Sequence, residues 1–116
     1  MRIEVKGRNT PITDELTQRI ERRFDKVAKQ VSPLAELEVE LREERNPAIA
    51  DSQVAEVTLH LKGVTLRACD RSRDMEHSIK LCAEELSRQV KRHRDKRRKR
   101  RESRAQSGIG GISPAA

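Results

Sequence analysis

The residues most able to do chemistry in this chain are lysines and arginines concentrated near its C-terminus. Residues 88–104 hold 11 Lys or Arg against 2 Asp or Glu, a net charge of +9, whereas residues 1–87 hold 15 against 17, a net charge of −2. A cluster this dense attracts a polyanion, because each phosphate that it neutralises releases condensed counterions. We therefore expect a nucleic acid as partner, with an anionic membrane surface as the alternative.

The spacing of the basic residues predicts two stripes on helices. In the first predicted helix they recur every three or four positions beside the apolar face, as Arg19, Arg22, Lys26 and Lys29. In the second helix the outward side carries Lys80, Lys91, Arg94 and Arg98, with Arg88 and Arg92 at its edge. If the helices pack side by side, the stripes form one positive groove that can follow a phosphate backbone. The alternative for the first stripe is an ordinary solvated surface.

The composition restricts how a nucleic acid can be recognised. Phe24 is the one aromatic residue, because the chain has no Trp and no Tyr. Stacking of single-stranded bases on aromatic side chains is therefore nearly excluded, and recognition of backbone and shape remains.

No pattern of reactive side chains indicates an enzyme. One predicted sheet face carries a histidine near three glutamates, His60, Glu38, Glu40 and Glu56. A solvated sheet face needs such alternating polar residues, and no nucleophile or oxyanion loop accompanies them. The paired spacings of a zinc site are missing from Cys69, Cys82, His77 and His93. With no phosphate-binding glycine loop either, we expect no catalysis, cofactor, metal or small-molecule substrate.

Four strands are predicted from apolar residues that alternate with polar ones. They fall at residues 2–6, 36–42, 55–61 and 64–68. Gly7-Arg8-Asn9 is expected to end the first strand, residues 44–51 to form an exposed loop, and Lys62-Gly63 to be the turn of a hairpin.

Two helices are predicted from apolar residues at helical spacing. Thr13 is expected to cap the first, whose apolar stripe is Ile12, Leu16, Ile20, Phe24, Val27 and Val31. Ser72 is expected to cap the second, whose stripe is Met75, Ile79, Cys82, Ala83, Leu86 and Val90.

The predicted order is β-α-β-β-β-α, an α+β fold. Four one-faced strands need both helices on the same side, which gives a four-stranded, partly antiparallel sheet with two helices packed on one face. We expect residues 1–95 to form this domain and residues 96–116 to be a flexible tail, first basic and then rich in Gly, Ser and Pro. A reducing cytoplasm fits best, because Cys69 and Cys82 are not closely spaced and the first residues lack a secretion signal.

Five short segments resemble the ribosome hibernation promoting factor family, which includes the ribosome-associated inhibitor. They are Gly7-Arg8-Asn9, Thr13-Asp14, Leu66-Arg67-Ala68, Asp74-Met75 followed by Ile79, and Leu86-Ser87-Arg88-Gln89-Val90. The resemblance runs from Met1 to about Lys96. It implies a domain similar in shape to a double-stranded RNA-binding domain, which sits in the decoding channel of the small ribosomal subunit and blocks messenger and transfer RNA.

The resemblance also implies which residues face ribosomal RNA. The basic positions of the family map onto Arg23, Lys26, Arg88, Lys91, Arg92 and Arg94. Together with the spacing argument, the candidate RNA-binding set is Arg22, Arg23, Lys26, Lys29, Arg88, Lys91, Arg92 and Arg94. This chain departs from the family pattern at three charged positions, Glu76, Lys80 and Glu85. Long family members carry a further dimerisation domain, and the ending SGIGGISPAA is typical of either a short form or a linker.

The main hypothesis is therefore a ribosome-binding protein that silences translation by occupancy and is a monomer when free, with no membrane partner. A general binder of double-stranded RNA would have the same shape and charge. A third hypothesis is an adaptor that uses its basic tail to bind a membrane or a partner protein.

Overall fold

The computed structural model describes residues 1–46 and 48–112, and for residues 104–112 it describes the backbone. The strands are β1 (Arg2–Arg8), β2 (Glu36–Glu43), β3 (Gln53–Leu61) and β4 (Val64–Ser72). The helices are α1 (Asp14–Arg23), α2 (Asp25–Gln30) and α3 (Met75–Ile112). The predicted α+β fold class is confirmed.

The four strands form one sheet in the order β1-β2-β3-β4. The pair β1 and β2 is parallel, since α1 and α2 cross between them, and the other two pairs are antiparallel. The register places apolar residues opposite one another, as in Val39 against Val57 and Leu59 against Leu66. Because side chains alternate along a strand, this pairing collects the apolar residues on one face of the sheet.

The first strand is longer than predicted. It continues through Arg8, and the chain turns at Asn9, whose φ of 55° is left-handed. Asn tolerates this conformation better than most residues. Gly7 does not break the strand; a Cβ there would collide with the Thr10 carbonyl oxygen and the Ile12 side chain.

The predicted hairpin turn is confirmed. Leu61 pairs with Val64, and Gly63 has a φ of 80°, which explains a glycine at this position. The loop between β2 and β3 is held by a hydrogen bond from the Glu44 amide to the Ser52 carbonyl of 2.8 Å. Pro47, inside that loop, lies outside the described residues.

The first predicted helix is observed as two consecutive helices. Thr13 caps α1 as expected, because its Oγ1 accepts a hydrogen bond of 3.1 Å from the Leu16 amide. Phe24 separates α1 from α2 with φ −96° and ψ 5°, yet the Phe24 amide still bonds the Ile20 carbonyl at 3.0 Å. The Ala28 amide bonds the Phe24 carbonyl at 2.9 Å. The apolar stripe is therefore preserved across the interruption.

The second predicted helix begins at Met75 and is capped by Asp74, not by Ser72. The His77 amide donates to Asp74 Oδ2 at 3.3 Å, whereas Ser72 is the last residue of β4 and donates to the Asp74 carbonyl at 2.6 Å. Ser78 is buried and donates to the Gln53 carbonyl at 2.7 Å, which ties the start of α3 to β3. The expected capping role of Ser72 is wrong because a strand residue still paired in the sheet does not take up the cap position.

Helix α3 continues well beyond the core. Among its described side chains the last buried one is Val90, at 2% exposure, and the helix runs on to Ile112. The expected boundary between a domain of residues 1–95 and a flexible tail of residues 96–116 therefore falls within a described helix and stays a prediction, and residues 113–116 lie outside the described residues. In the part of the chain that is described, no helix is long and apolar enough to cross a bilayer.

The core lies between the sheet and the helices. Phe24 is its largest fully buried side chain, and α3 contributes Cys82 and Leu86. The predicted apolar stripes are confirmed in this core: all the members proposed for the two helices belong to it or pack against it.

Truncation of Phe24 tests this packing. We expect Phe24→Ala to lower the free energy of unfolding by about 3–5 kcal/mol, because it leaves a cavity under both helices. Urea denaturation followed by circular dichroism measures the change. Leu34→Ala is the control, since Leu34 is 90% exposed, and it should change stability by less than about 0.5 kcal/mol. Equal losses in the two variants would show that Phe24 is not the centre of the core.

Candidate nucleic-acid interface

A groove of about 350 Å³ runs along the seam between the first two helices and α3. Five basic side chains line it, Arg23, Lys26, Lys80, Arg88 and Lys91, and we call it the basic groove. Ala83 and Ser87 are among its other lining residues, and Glu84 is an acidic one. Small side chains at the seam leave room for a phosphate backbone to approach the helices.

The positions of these side chains follow from the packing of the core. Phe24 and Val27 point into the core, so Arg23 and Lys26, each one residue earlier, lie beside the buried face. On α3, Glu84 and Lys91 each come one residue after a buried side chain, Ala83 and Val90, and so also lie beside the buried face. The two flanking rows meet where the helices touch, and that meeting line is the groove.

The structure separates the eight candidate residues into groups. Four of them line the basic groove, namely Arg23, Lys26, Arg88 and Lys91. Arg22 lies in a neighbouring depression with Arg19, Arg23 and Glu76. Lys29 does not line the groove; its Nζ is paired with Asp25 Oδ2 at 3.0 Å.

The remaining two candidates lie further along α3. Arg92 is exposed, and Arg94 lines a second indentation on α3 together with Arg97, Arg98 and Arg101. That the eight residues bind RNA stays a prediction. The candidate set also left out Lys80 and Gln30, which both line the groove. Lys80 carried a sequence signal, since it falls on the outward stripe of α3, whereas Gln30 had none.

Arg88 is held in place by a neighbouring carboxylate. Its Nε and Nη2 donate to Glu85 Oε2 at 3.1 and 2.7 Å, and Gln89 Nε2 donates to Glu85 Oε1 at 3.3 Å. The hydrogen bonds from Arg88, and then from Gln89, lower the pKa of Glu85. Gln89 also donates to the Arg67 carbonyl of β4 at 2.8 Å, so the group is anchored to the sheet.

An ion pair between α1 and α3 lies at the other end of the seam. Arg19 of α1 contacts Glu76 of α3 and also bonds Glu15 at 2.6 Å. Two of the three departures from the family pattern therefore lie at the seam, since Glu76 pairs with Arg19 and Lys80 lines the groove. The third, Glu85, pairs with the groove residue Arg88.

The opposite face of the sheet carries charges of both signs. Glu4 stands opposite Glu38, and Glu40 stands opposite Glu56. Like charges in such positions repel, and two arginines offset part of the repulsion: Arg8 pairs with Glu40 and Arg42 with Glu56, both at 3.1 Å. The outward positions of this face also hold Arg2, Lys6, Arg67 and Arg71, so its glutamates are balanced by basic residues.

The groups considered for catalysis have ordinary surroundings. His60 lies 3.6 Å from Glu38 on the exposed sheet face. Cys82 is buried, and its thiol donates to the Ala55 carbonyl at 3.0 Å. Burial raises the pKa of Cys82 to about 12, so the thiol stays protonated and unreactive at neutral pH. In the described residues, no group of three His, Cys, Asp or Glu side chains forms a metal site.

Comparison with known families settles the evolutionary relationship of this domain. Residues 3–98, which include both walls of the basic groove, match the family described as Sigma 54 modulation protein / S30EA ribosomal protein. The chain belongs to this family. The resemblance to ribosome hibernation promoting factors is thereby confirmed.

Three relatives in this family bear that name. The ribosome hibernation promotion factor of Picosynechococcus sp. is 28% identical over 97 residues, covering 83% of this chain and 50% of the relative. The Salmonella typhimurium ribosome hibernation promoting factor is 29% identical over 96 residues, covering 83% of this chain and 96% of the relative. The Staphylococcus aureus factor is 34% identical over 96 residues, covering 81% and 48%. The chain spans about half the length of two of these relatives and nearly all of the third.

Two solved structures have the same fold as this chain. The N-terminal domain of Thermus thermophilus Protein Y matches with a TM-score of 0.69 and 26% identity, covering 80% of this chain and 99% of that domain. A ribosomal subunit interface protein from Coxiella burnetii matches with a TM-score of 0.67 over 82% of this chain and 99% of its own. At 17% identity, the second likeness concerns the fold alone.

The Arg88–Glu85 pair gives a test of the site's electrostatics. We expect Arg88→Met to raise the pKa of Glu85 towards its ordinary value, because the largest cause of the lowering is removed. Carboxyl NMR during a pH titration measures this. In the parent, the ion pair stabilises the fold at neutral pH, and this contribution is lost as the pH falls through the lowered pKa of Glu85.

Arg22→Met is the matched control for this titration. Arg22 lies in the neighbouring depression and not against Glu85, so its removal should leave the pKa of Glu85 lowered. An unchanged Glu85 titration in Arg88→Met would contradict the described pairing.

Proposed function

We propose that this protein is a ribosome hibernation factor that binds small-subunit ribosomal RNA in the decoding channel and silences translation by occupancy. The single observation that carries the proposal is the basic groove, five Lys or Arg side chains converging on one seam of a domain of this family. A cytoplasmic factor of this kind works without catalysis, because filling the channel is enough to exclude its normal occupants.

The charge of the groove supports a phosphate backbone as its ligand. Lys26 and Lys91 line opposite walls of the groove and are exposed. Arg23 and Arg88 line it as well, and their planar guanidinium groups can donate two hydrogen bonds to a phosphate. A row of positive side chains on each wall can neutralise successive phosphates along one strand. Such contacts fix position without reading sequence.

The names of the relatives support the ribosome as the place of action. Two are called ribosome hibernation promotion factors and one a ribosome hibernation promoting factor. The Salmonella relative is nearly covered by this chain, so a domain of this size corresponds to almost the whole of that protein.

Charge reversal in the groove tests the proposed binding site. We expect Lys26→Glu combined with Lys91→Glu to weaken co-sedimentation with small subunits at least tenfold, because two phosphate contacts become repulsive. Both side chains are exposed, so circular dichroism should show an intact fold. The matched control is Arg45→Glu with Lys62→Glu, which reverses two exposed charges in loops away from the groove. Parent-like sedimentation of the groove variant would reject the groove as the interface.

Competition with translation tests the proposed mechanism. Added to a cell-free reaction, the protein should inhibit initiation in proportion to ribosome occupancy, because it shares volume with messenger and transfer RNA. Ribosomes loaded beforehand with messenger and initiator transfer RNA should be protected. Full translation at saturating occupancy, or equal affinity for arbitrary duplex RNA and for ribosomes at physiological salt, would indicate a general RNA-binding protein instead.

A further inference from the structure

Helix α3 continues past the core as an entirely polar segment. Residues 91–104 contain no apolar side chain, and we call residues 91–103, whose side chains are described, the basic extension. At 1.5 Å per residue this part of the helix is about 20 Å long. A helix that is polar all round has no face to bury against the sheet. Core packing therefore does not explain why this segment is helical and basic.

The basic extension carries positive charge on two opposite faces. The front face prolongs the α3 wall of the basic groove and consists of Lys91, Arg94, Arg98 and Arg101. The back face consists of Arg92, Lys96, Lys99 and Arg100. With 3.6 residues per turn, the centres of these two sets lie roughly 160° apart around the helix. All eight side chains are exposed.

Positive charge in the basic extension is not neutralised within the part of the chain that is described. The segment holds two carboxylates, Asp95 and Glu102, and the described ion pairs all lie outside it. Like charges three and four positions apart destabilise a helix by about 0.2–0.5 kcal/mol per pair. A polyanion on each face would remove this repulsion and stabilise the helix.

We propose that the back face of the basic extension binds a second phosphate backbone, so that one copy of the protein bridges two RNA duplexes. The inference rests on the proposed function for the first duplex, which occupies the basic groove and the front face. An α-helix with its side chains is about 10–12 Å wide, and the major groove of an A-form duplex is deep and narrow. The two faces therefore reach separate duplexes and not the two strands of one.

The absence of apolar residues from the basic extension favours RNA over a membrane as the second partner. Helices that lie in a membrane interface bury an apolar face between the headgroups. Residues 91–104 have no such face. Phosphate contacts alone can hold the segment on RNA, where counterion release supplies the free energy.

Energy transfer between two RNA duplexes tests the bridging. The full chain is mixed with two duplexes of about 16 base pairs, a length typical of double-stranded RNA-binding domains, one labelled with a donor and the other with an acceptor. We expect transfer to peak near one protein per two duplexes and to fall in protein excess, because each duplex then binds its own copy. Saturation by one duplex without transfer would overturn the proposal.

Two variants with equal charge loss locate the second site. Lys96→Gln/Lys99→Gln/Arg100→Gln on the back face should reduce transfer at least tenfold while single-duplex affinity and co-sedimentation with small subunits change less than twofold. Arg94→Gln/Arg98→Gln/Arg101→Gln, on the front face, should weaken single-duplex binding but retain transfer once that binding is saturated. Equal loss of transfer in both variants would overturn the assignment to the back face.

The same measurements separate this inference from the proposed function. Transfer without co-sedimentation with small subunits would reject the ribosomal role and keep the bridging. Co-sedimentation without transfer would keep the ribosomal role and reject the bridging. Binding to phosphatidylserine vesicles that requires Lys96, Lys99 and Arg100, without transfer between duplexes, would replace RNA by a membrane and overturn the proposal.

Discussion

The structure depends on the burial of one sheet face beneath helices that lie side by side. Apolar residues from all four strands point to that face, and Phe24, Cys82 and Leu86 cover it from above. Charged side chains cannot enter this layer, so those that flank the buried stripes are displaced to the seam between the helices. The basic groove is the direct result: it exists because the core is one layer thick and its cover is made of more than one helix.

Some of the basic side chains near the seam are paired with carboxylates, and others are not. Glu85 binds Arg88 and Glu76 binds Arg19, so two of the arginines near the seam are oriented by carboxylates. Exposed pairs of this kind contribute little to stability, but they restrict the side chains that a phosphate would meet. Lys26 and Lys91 have no carboxylate among the described ion pairs and provide the charge that is free for a ligand.

Two of the three departures from the family pattern lie at the seam between the helices. Glu76 pairs with Arg19 of α1, and Lys80 adds positive charge inside the groove. The third departure, Glu85, pairs with Arg88, which lines the groove. The basic extension adds more positive charge at the far end of α3.

The sequence by itself determined the strands, the hairpin at Lys62-Gly63, the cap at Thr13 and the location of the basic excess, because each depends on residues a few positions apart. The tertiary structure alone decided which basic residues meet. Lys80 enters the groove and Lys29 does not, although both follow helical spacing. The interruption at Phe24 and the cap at Asp74 were likewise not predicted. Contacts between helices depend on how two elements pack on a shared sheet, and no spacing within one helix specifies that distance.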